Sequence, residues 1–173
     1  MSGLTLVLGG VRSGKSRFAE DLADATGLEK IYIATAEAFD DGLKARIAAH
    51  QARRGDDWTT LDVPVDLPET LSVKTSPDKV VLVECLTLWL TNLLVKEIEP
   101  DDAIRDLLVA VKARRGPVIL VSNEVGLGVM PMNSLARRFA DLAGSLHQDL
   151  AACADKVVLV AAGLPMTLKP VKE

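Results

Sequence analysis

Short apolar runs alternate with longer segments of helical period along this chain, a pattern that predicts an α/β fold: a mostly parallel central sheet with helices on both faces. Residues 4–8 read as a first strand, halted by Gly9-Gly10. Residues 13–25 follow as a helix, with Phe18, Leu22 and Ala25 at helical spacing and Gly27 as its stop. A second strand covers 31–34, and a helix covers 40–54, opened by Asp40-Asp41 and closed at Gly55-Asp56-Asp57. Residues 59–63 are a short strand and 67–73 a brief helix. The strand 79–83 reads as the most buried and ends at a carboxylate, Glu84. Residues 86–98 are helical and apolar on most of their surface, which requires burial on several sides or a subunit contact. Residues 101–115 form an amphipathic helix through Ile104, Leu107, Leu108 and Val111, and 118–122 a further strand. A long helix over 133–154, capped by Asn133, carries Leu135, Phe139, Leu142, Leu146 and Leu150 in register, and 157–161 is the last strand.

Composition adds limits. At 173 residues, 49% of them hydrophobic and 25% charged, the chain suits one globular domain and not a disordered one. Aromatics are only 3%, too few for a base-stacking platform. Twenty basic residues against 24 acidic give a net charge of −4, so no global basic field attracts nucleic acid or an anionic membrane, and any anionic ligand must be held locally. The longest apolar stretches are too short or too interrupted to span a bilayer, and the N-terminus lacks the pattern of a signal peptide, so a cytoplasmic protein is expected. Cys85 and Cys153 sit in apolar runs without a CxxC partner and read as reduced core thiols. Trp58 and Tyr32 read as packing residues. Trp89 reads as packing, or as the wall of a subunit interface or large ligand, and His147 as a helix-surface residue.

Candidate chemistry begins at Gly9-Gly10-Val11-Arg12-Ser13-Gly14-Lys15-Ser16. This run fits GxxxxGK[ST] between a strand and a helix, the context of a phosphate-binding loop. Glycines let several backbone N–H groups converge on phosphate oxygens, and the helix N-terminus adds a favourable dipole. Lys15 then reaches the β- and γ-phosphates and the Ser16 hydroxyl ligates Mg²⁺. Glu84, at the end of a buried strand, is the candidate carboxylate for the same ion; the alternative is a helix-start acid favoured by the dipole. On the helix over 40–54, Arg46, His50 and Arg53 or Arg54 share a stripe. Guanidiniums that neutralise a phosphate would leave His50 free to attack phosphorus through its neutral imidazole, although spacing alone favours a solvated basic face.

Taken with GGVRSGKS at 9–16, the runs YIATAEA at 32–38, RIAAH ending at His50, WTTLD at 58–62, ECLTLWLTNLL from Glu84 and SNEVGLGVMP from Ser122 resemble the bifunctional adenosylcobinamide kinase / adenosylcobinamide-phosphate guanylyltransferase family. RRFADLAG and VVLVAAGLP extend the resemblance over nearly the whole chain. It implies a three-layer P-loop NTPase fold, Mg²⁺ as cofactor, and two reactions. ATP or GTP phosphorylates the aminopropanol hydroxyl of adenosylcobinamide. His50 then takes GMP from GTP as a GMP-histidine intermediate, releasing pyrophosphate, and passes it to adenosylcobinamide phosphate. Nucleotide contacts map by resemblance onto residues 9–16, Ala34, Thr35, Ala36, Gln51, Ala52, Arg53, Arg54, Asp62 and Glu84, and the resemblance also implies a homo-oligomer, a trimer. Asp62 is a candidate for the guanine N1–H and N2–H or for the ribose hydroxyls. It stands where the family is expected to show glutamate, while Ala140 and His147 replace a more usual arginine and asparagine, and Gly42-Leu43 a Glu-Met. The competing readings are a monofunctional P-loop small-molecule kinase and a nucleotide switch. The latter is disfavoured because no NKxD-type signature is present.

Overall fold

The computed structural model describes residues 3–37 and 57–170. In chain order its elements are β1 (Leu4–Gly9), α1 (Lys15–Asp24), β2 (Glu29–Ala34), β3 (Trp58–Asp62), α2 (Leu67–Lys74), β4 (Lys79–Glu84), α3 (Leu86–Val95), α4 (Pro100–Lys112), β5 (Val118–Asn123), α5 (Ser134–Cys153), β6 (Lys156–Ala161) and β7 (Leu164–Lys169). Among the described residues the strands form one sheet in the order β3-β2-β4-β5-β1-β6-β7, parallel throughout except for the antiparallel β6–β7 pair. The helix expected over 40–54 lies outside the described residues.

Strand side chains alternate between two cores, because successive residues of a strand point to opposite faces. Leu4, Leu6 and Leu8 of β1, Val81 and Val83 of β4 and Val118 and Leu120 of β5 face α2, α3, α4 and α5. Val7, Val80, Leu82, Ile119 and Val121 face the other way, onto Ala19 and Ala23 of α1. Central strands buried on both faces need near-continuous apolar sequence, which is what these runs supply.

Several expectations need correction. A seventh strand, β7, follows the expected last one. Its turn, Ala162-Gly163, holds both residues at positive φ, 52° and 78°, the geometry of a tight hairpin; an alanine at the first position, and Pro165 inside an exposed edge strand, hid the signal. The helix expected to reach 98 stops at Val95: Glu97 turns left-handed at φ 56°, and Ile98 N–H closes on Leu93 O at 2.9 Å, a Schellman stop made without glycine. Trp89 is fully buried, with Leu90 and Leu93, and its indole N–H donates to Val65 O at 2.8 Å. The apolar character of α3 is thus met by burial inside the chain at Leu86, Trp89, Leu90 and Leu93. Leu135 is exposed, and Cys153 is only half-buried, packed against the edge of the core that takes in Leu150 and Ala154. Trp58 is half-buried, edge-on to Tyr32 with Lys30 over its ring.

Trp89→Ala should cost about 3–5 kcal/mol, the range for emptying a large buried aromatic site. Urea unfolding should show a lower midpoint at unchanged slope.

Candidate functional site

Every sheet strand except β7 ends on the same side, and those predicted site residues that are described collect there. The loop leaving β1 turns through Arg12 at φ 56° and Gly14 at φ 95°, so α1 begins at Lys15. A side chain at Gly9 would meet Val160 O at 2.6 Å, and one at Gly14 would crowd Gly163 Cα at 3.1 Å on a backbone already at φ 95°, so neither position takes a Cβ without strain. Gly163 N–H donates to Ser13 O at 2.8 Å: the β6–β7 turn is fastened to the phosphate loop. Lys15, buried despite its charge, lays its ammonium on Gly10 O at 3.2 Å, across the loop's own concavity. Ser13 Oγ is buried and has no partner among the described residues.

Register brings the other candidates level. Ala34 at the end of β2 pairs with Asp62 on β3 and with Glu84 on β4. Asp62 is exposed there. Glu84 is held at both oxygens: Ser16 Oγ hydrogen-bonds Oε1, and Tyr32 donates to Oε2 at 2.9 Å. Tyr32, expected as plain core, is buried but gives its hydroxyl to the site; position within an apolar strand gave no sign of that. The Ser16 hydroxyl and Glu84 carboxylate are hard oxygen donors converging beside the phosphate loop. Such a pair suits Mg²⁺, which takes one or two protein oxygens and completes its shell with phosphate oxygens and water.

A buried polar network supports this edge, built from residues of the YIATAEA and ECLTLWLTNLL runs. Thr35 Oγ1 donates to Cys85 O at 2.7 Å and accepts from Cys85 N–H at 2.8 Å. Asn92 of α3, fully buried, donates to Thr35 O at 2.7 Å and Pro64 O at 2.9 Å. The segments carrying Thr35 and Asp62 are thereby tied to one helix. Burial pushes the Cys85 thiol up from its ordinary pKa, so it stays protonated and inert.

His147 departs from expectation. It is buried under β5 with Nε2 at 2.7 Å from Ser122 Oγ, because Ser122 points to the α5 face of the sheet. Burial lowers its pKa, against a smaller opposing pull from Glu124.

Residues 9–16, Ala34, Thr35, Ala36, Asp62 and Glu84 thus line one strand-end edge. His50, Arg46, Gln51, Ala52, Arg53 and Arg54, with Asp40, Asp41, Gly42 and Leu43, lie outside the described residues. Among the described residues no helix is long and apolar enough to cross a membrane.

Comparison with known proteins agrees with this geometry. The family described as cobinamide kinase / cobinamide phosphate guanyltransferase matches residues 5–168. The bifunctional adenosylcobalamin biosynthesis protein CobP of Pseudomonas aeruginosa is 50% identical over 167 residues, covering 95% of this chain and 96% of that one. The bifunctional adenosylcobalamin biosynthesis protein CobU of Escherichia coli is 39% identical over 181 residues, covering 96% and 99%. In fold, the chain is similar to the KaiC-like protein PH0186 of Pyrococcus horikoshii, at TM-score 0.51 and 14% identity over 91% of this chain and 70% of that one. The sheet and its first loop are those of a P-loop NTPase.

A histidine buried in its neutral form makes stability depend on pH. The unfolded chain takes up the proton first, near the ordinary imidazole value of about 6.5. Stability should therefore be full above that value, fall as pH drops through it, and level off below the lowered folded value. His147→Asn keeps a polar partner for Ser122 and should flatten this acid limb in melting temperatures recorded against pH.

Proposed function

The chain belongs to the cobinamide kinase / cobinamide phosphate guanyltransferase family, and on that premise we propose that one phosphate loop serves both of its reactions. The protein is a transferase of adenosylcobalamin biosynthesis, a cobinamide kinase and a cobinamide phosphate guanylyltransferase. The observation that carries the residue assignment is the phosphate loop with Lys15 drawn over it and Ser16 bonded to Glu84, in a chain that matches the family over residues 5–168.

In the kinase step, the backbone N–H groups of residues 9–16 and the start of α1 hold the triphosphate, and Lys15 offsets charge on the β- and γ-phosphates. The aminopropanol hydroxyl of adenosylcobinamide attacks the γ-phosphorus. A new oxygen–phosphorus bond forms, the bond to the β-phosphate oxygen breaks, the nucleoside diphosphate leaves and the hydroxyl proton is lost to solvent. ATP or GTP is the donor.

In the second step, His50 attacks the α-phosphorus of GTP and pyrophosphate leaves, giving GMP bonded to the imidazole. A phosphate oxygen of adenosylcobinamide phosphate then attacks that phosphorus and frees His50, forming adenosylcobinamide-GDP. Gln51, Ala52, Arg53 and Arg54 contact the nucleotide in this assignment, with Ala34, Thr35 and Ala36, and Asp62 contacts guanine or ribose. Ser16 and Glu84 would hold Mg²⁺, which when bound draws negative charge from the phosphate oxygens. The same loop can serve both steps because only the attacked phosphorus differs between them.

We further assign the protein to the cytoplasm as one catalytic domain that associates with copies of itself, as a trimer. The edge strand β7, with Leu164, Met166 and Leu168 exposed, supports a contact between copies.

Incubation with α-labelled GTP should leave acid-labile label on the protein, absent in His50→Ala, while His50→Ala retains the kinase activity; a wild-type protein that takes no label would leave only the monofunctional kinase. Lys15→Ala should lower both activities by about 100-fold or more, the scale for losing one charge-stabilising donor. Glu84→Gln should raise the Mg²⁺ concentration for half-maximal rate in both assays, read by titrating the metal at saturating nucleotide.

A further inference from the structure

Residues 125–132, Val-Gly-Leu-Gly-Val-Met-Pro-Met, leave β5 without one charged or hydroxyl side chain. Their backbone is anchored at both ends. Glu124 N–H donates to Gly9 O at 3.0 Å, and the Glu124 carboxylate accepts from Gly126 N–H at 2.9 Å and Leu127 N–H at 3.1 Å. At the far end the Arg137 guanidinium donates to Pro131 O at 3.0 Å and Met132 O at 2.6 Å. Even so, Leu127, Val129, Met130 and Met132 are 83%, 96%, 63% and 97% exposed. Scattered exposed apolar residues need no explanation, but four large ones on an anchored segment form a contact surface.

The position of that surface narrows its occupant. Asn123, just before it, pairs with Gly9, so the apolar rim starts beside the first residue of the phosphate loop. We propose that residues 125–132 form the acceptor subsite, seating the corrin macrocycle so that its aminopropanol arm reaches the phosphate loop. This rests on the function proposed above. The apolar character of the rim fits it: the methyl groups of the corrin edge pack on apolar side chains, and its carboxamides, being neutral, need no counter-charge there, while the cation Lys15 stays with the nucleotide. Methionines fit such an irregular, rigid ligand because their unbranched side chains adapt their shape. Only the hydroxyl at the end of the arm reacts, so the macrocycle must lie to one side of the phosphates, where the rim stands. One seat also serves both reactions, since the product of the first is the acceptor of the second.

The test is the triple variant Leu127→Ser, Val129→Ser, Met130→Ser, which alters solvent-exposed side chains and should fold normally. Both proteins are assayed for cobinamide phosphorylation, GTP affinity, labelling by α-labelled GTP without acceptor, and sedimentation. The KM for cobinamide should rise about tenfold with kcat little changed, the mark of lost uniform binding, while GTP affinity, self-labelling and sedimentation stay at wild-type values. An unchanged KM overturns the proposal, and so does a raised KM with a lower sedimentation coefficient, which makes the rim a contact between copies. Failure of the wild-type protein to phosphorylate cobinamide at all would instead strike at the functional reading.

Discussion

Burial of the central strands on both faces is the constraint on which the rest of this molecule depends. Once Leu4, Leu6 and Leu8 are committed to one core and Val7 to the other, β1 has no face left for chemistry. The same holds for β4 and β5. Polar and charged groups can then meet a ligand only where the strands end, and parallel strands end together. Glu84, Asp62 and the phosphate loop are neighbours for that reason, although the chain between them is long.

The second consequence concerns charge. A protein with net charge −4 has no general attraction for a triphosphate. The described part of the proposed anion site offers backbone N–H groups, which carry no net charge, and one buried ammonium, Lys15. Acidic residues can therefore surround the site, and one of them, Glu84, becomes part of it. The hydroxyls of Ser16 and Tyr32 fix its two oxygens, so that the carboxylate holds one orientation beside the phosphate loop.

Period and punctuation made most of the fold legible. Apolar runs marked β1, β4 and β5, Asn133 capped α5 through Leu135 and Ala136 N–H as its residue type suggested, and the glycine-lysine-serine run located the phosphate loop. The misses share a physical cause: each depended on a partner distant in sequence or on a backbone angle taken by an unusual residue. β7 turns at an alanine, α3 stops at a left-handed glutamate, and His147 is buried by what lies across from Ser122. The network joining Thr35, Cys85 and Asn92 follows the same rule, since Asn92 reads as an ordinary polar position on an apolar helix until the carbonyls of Thr35 and Pro64 face it. Local pattern reports which face a residue takes, but not what it meets there.

The bond from Gly163 N–H to Ser13 O gives the hairpin a mechanical role. β7 is an open sheet edge, and its turn is fastened to the loop that must grip phosphate. Thermodynamic reciprocity then applies. A contact along that edge that steadied the turn would also steady the grip, and a nucleotide that tightened the grip would strengthen such a contact by the same factor. In this fold, whatever loads the open edge and whatever binds the phosphate loop act on the same turn.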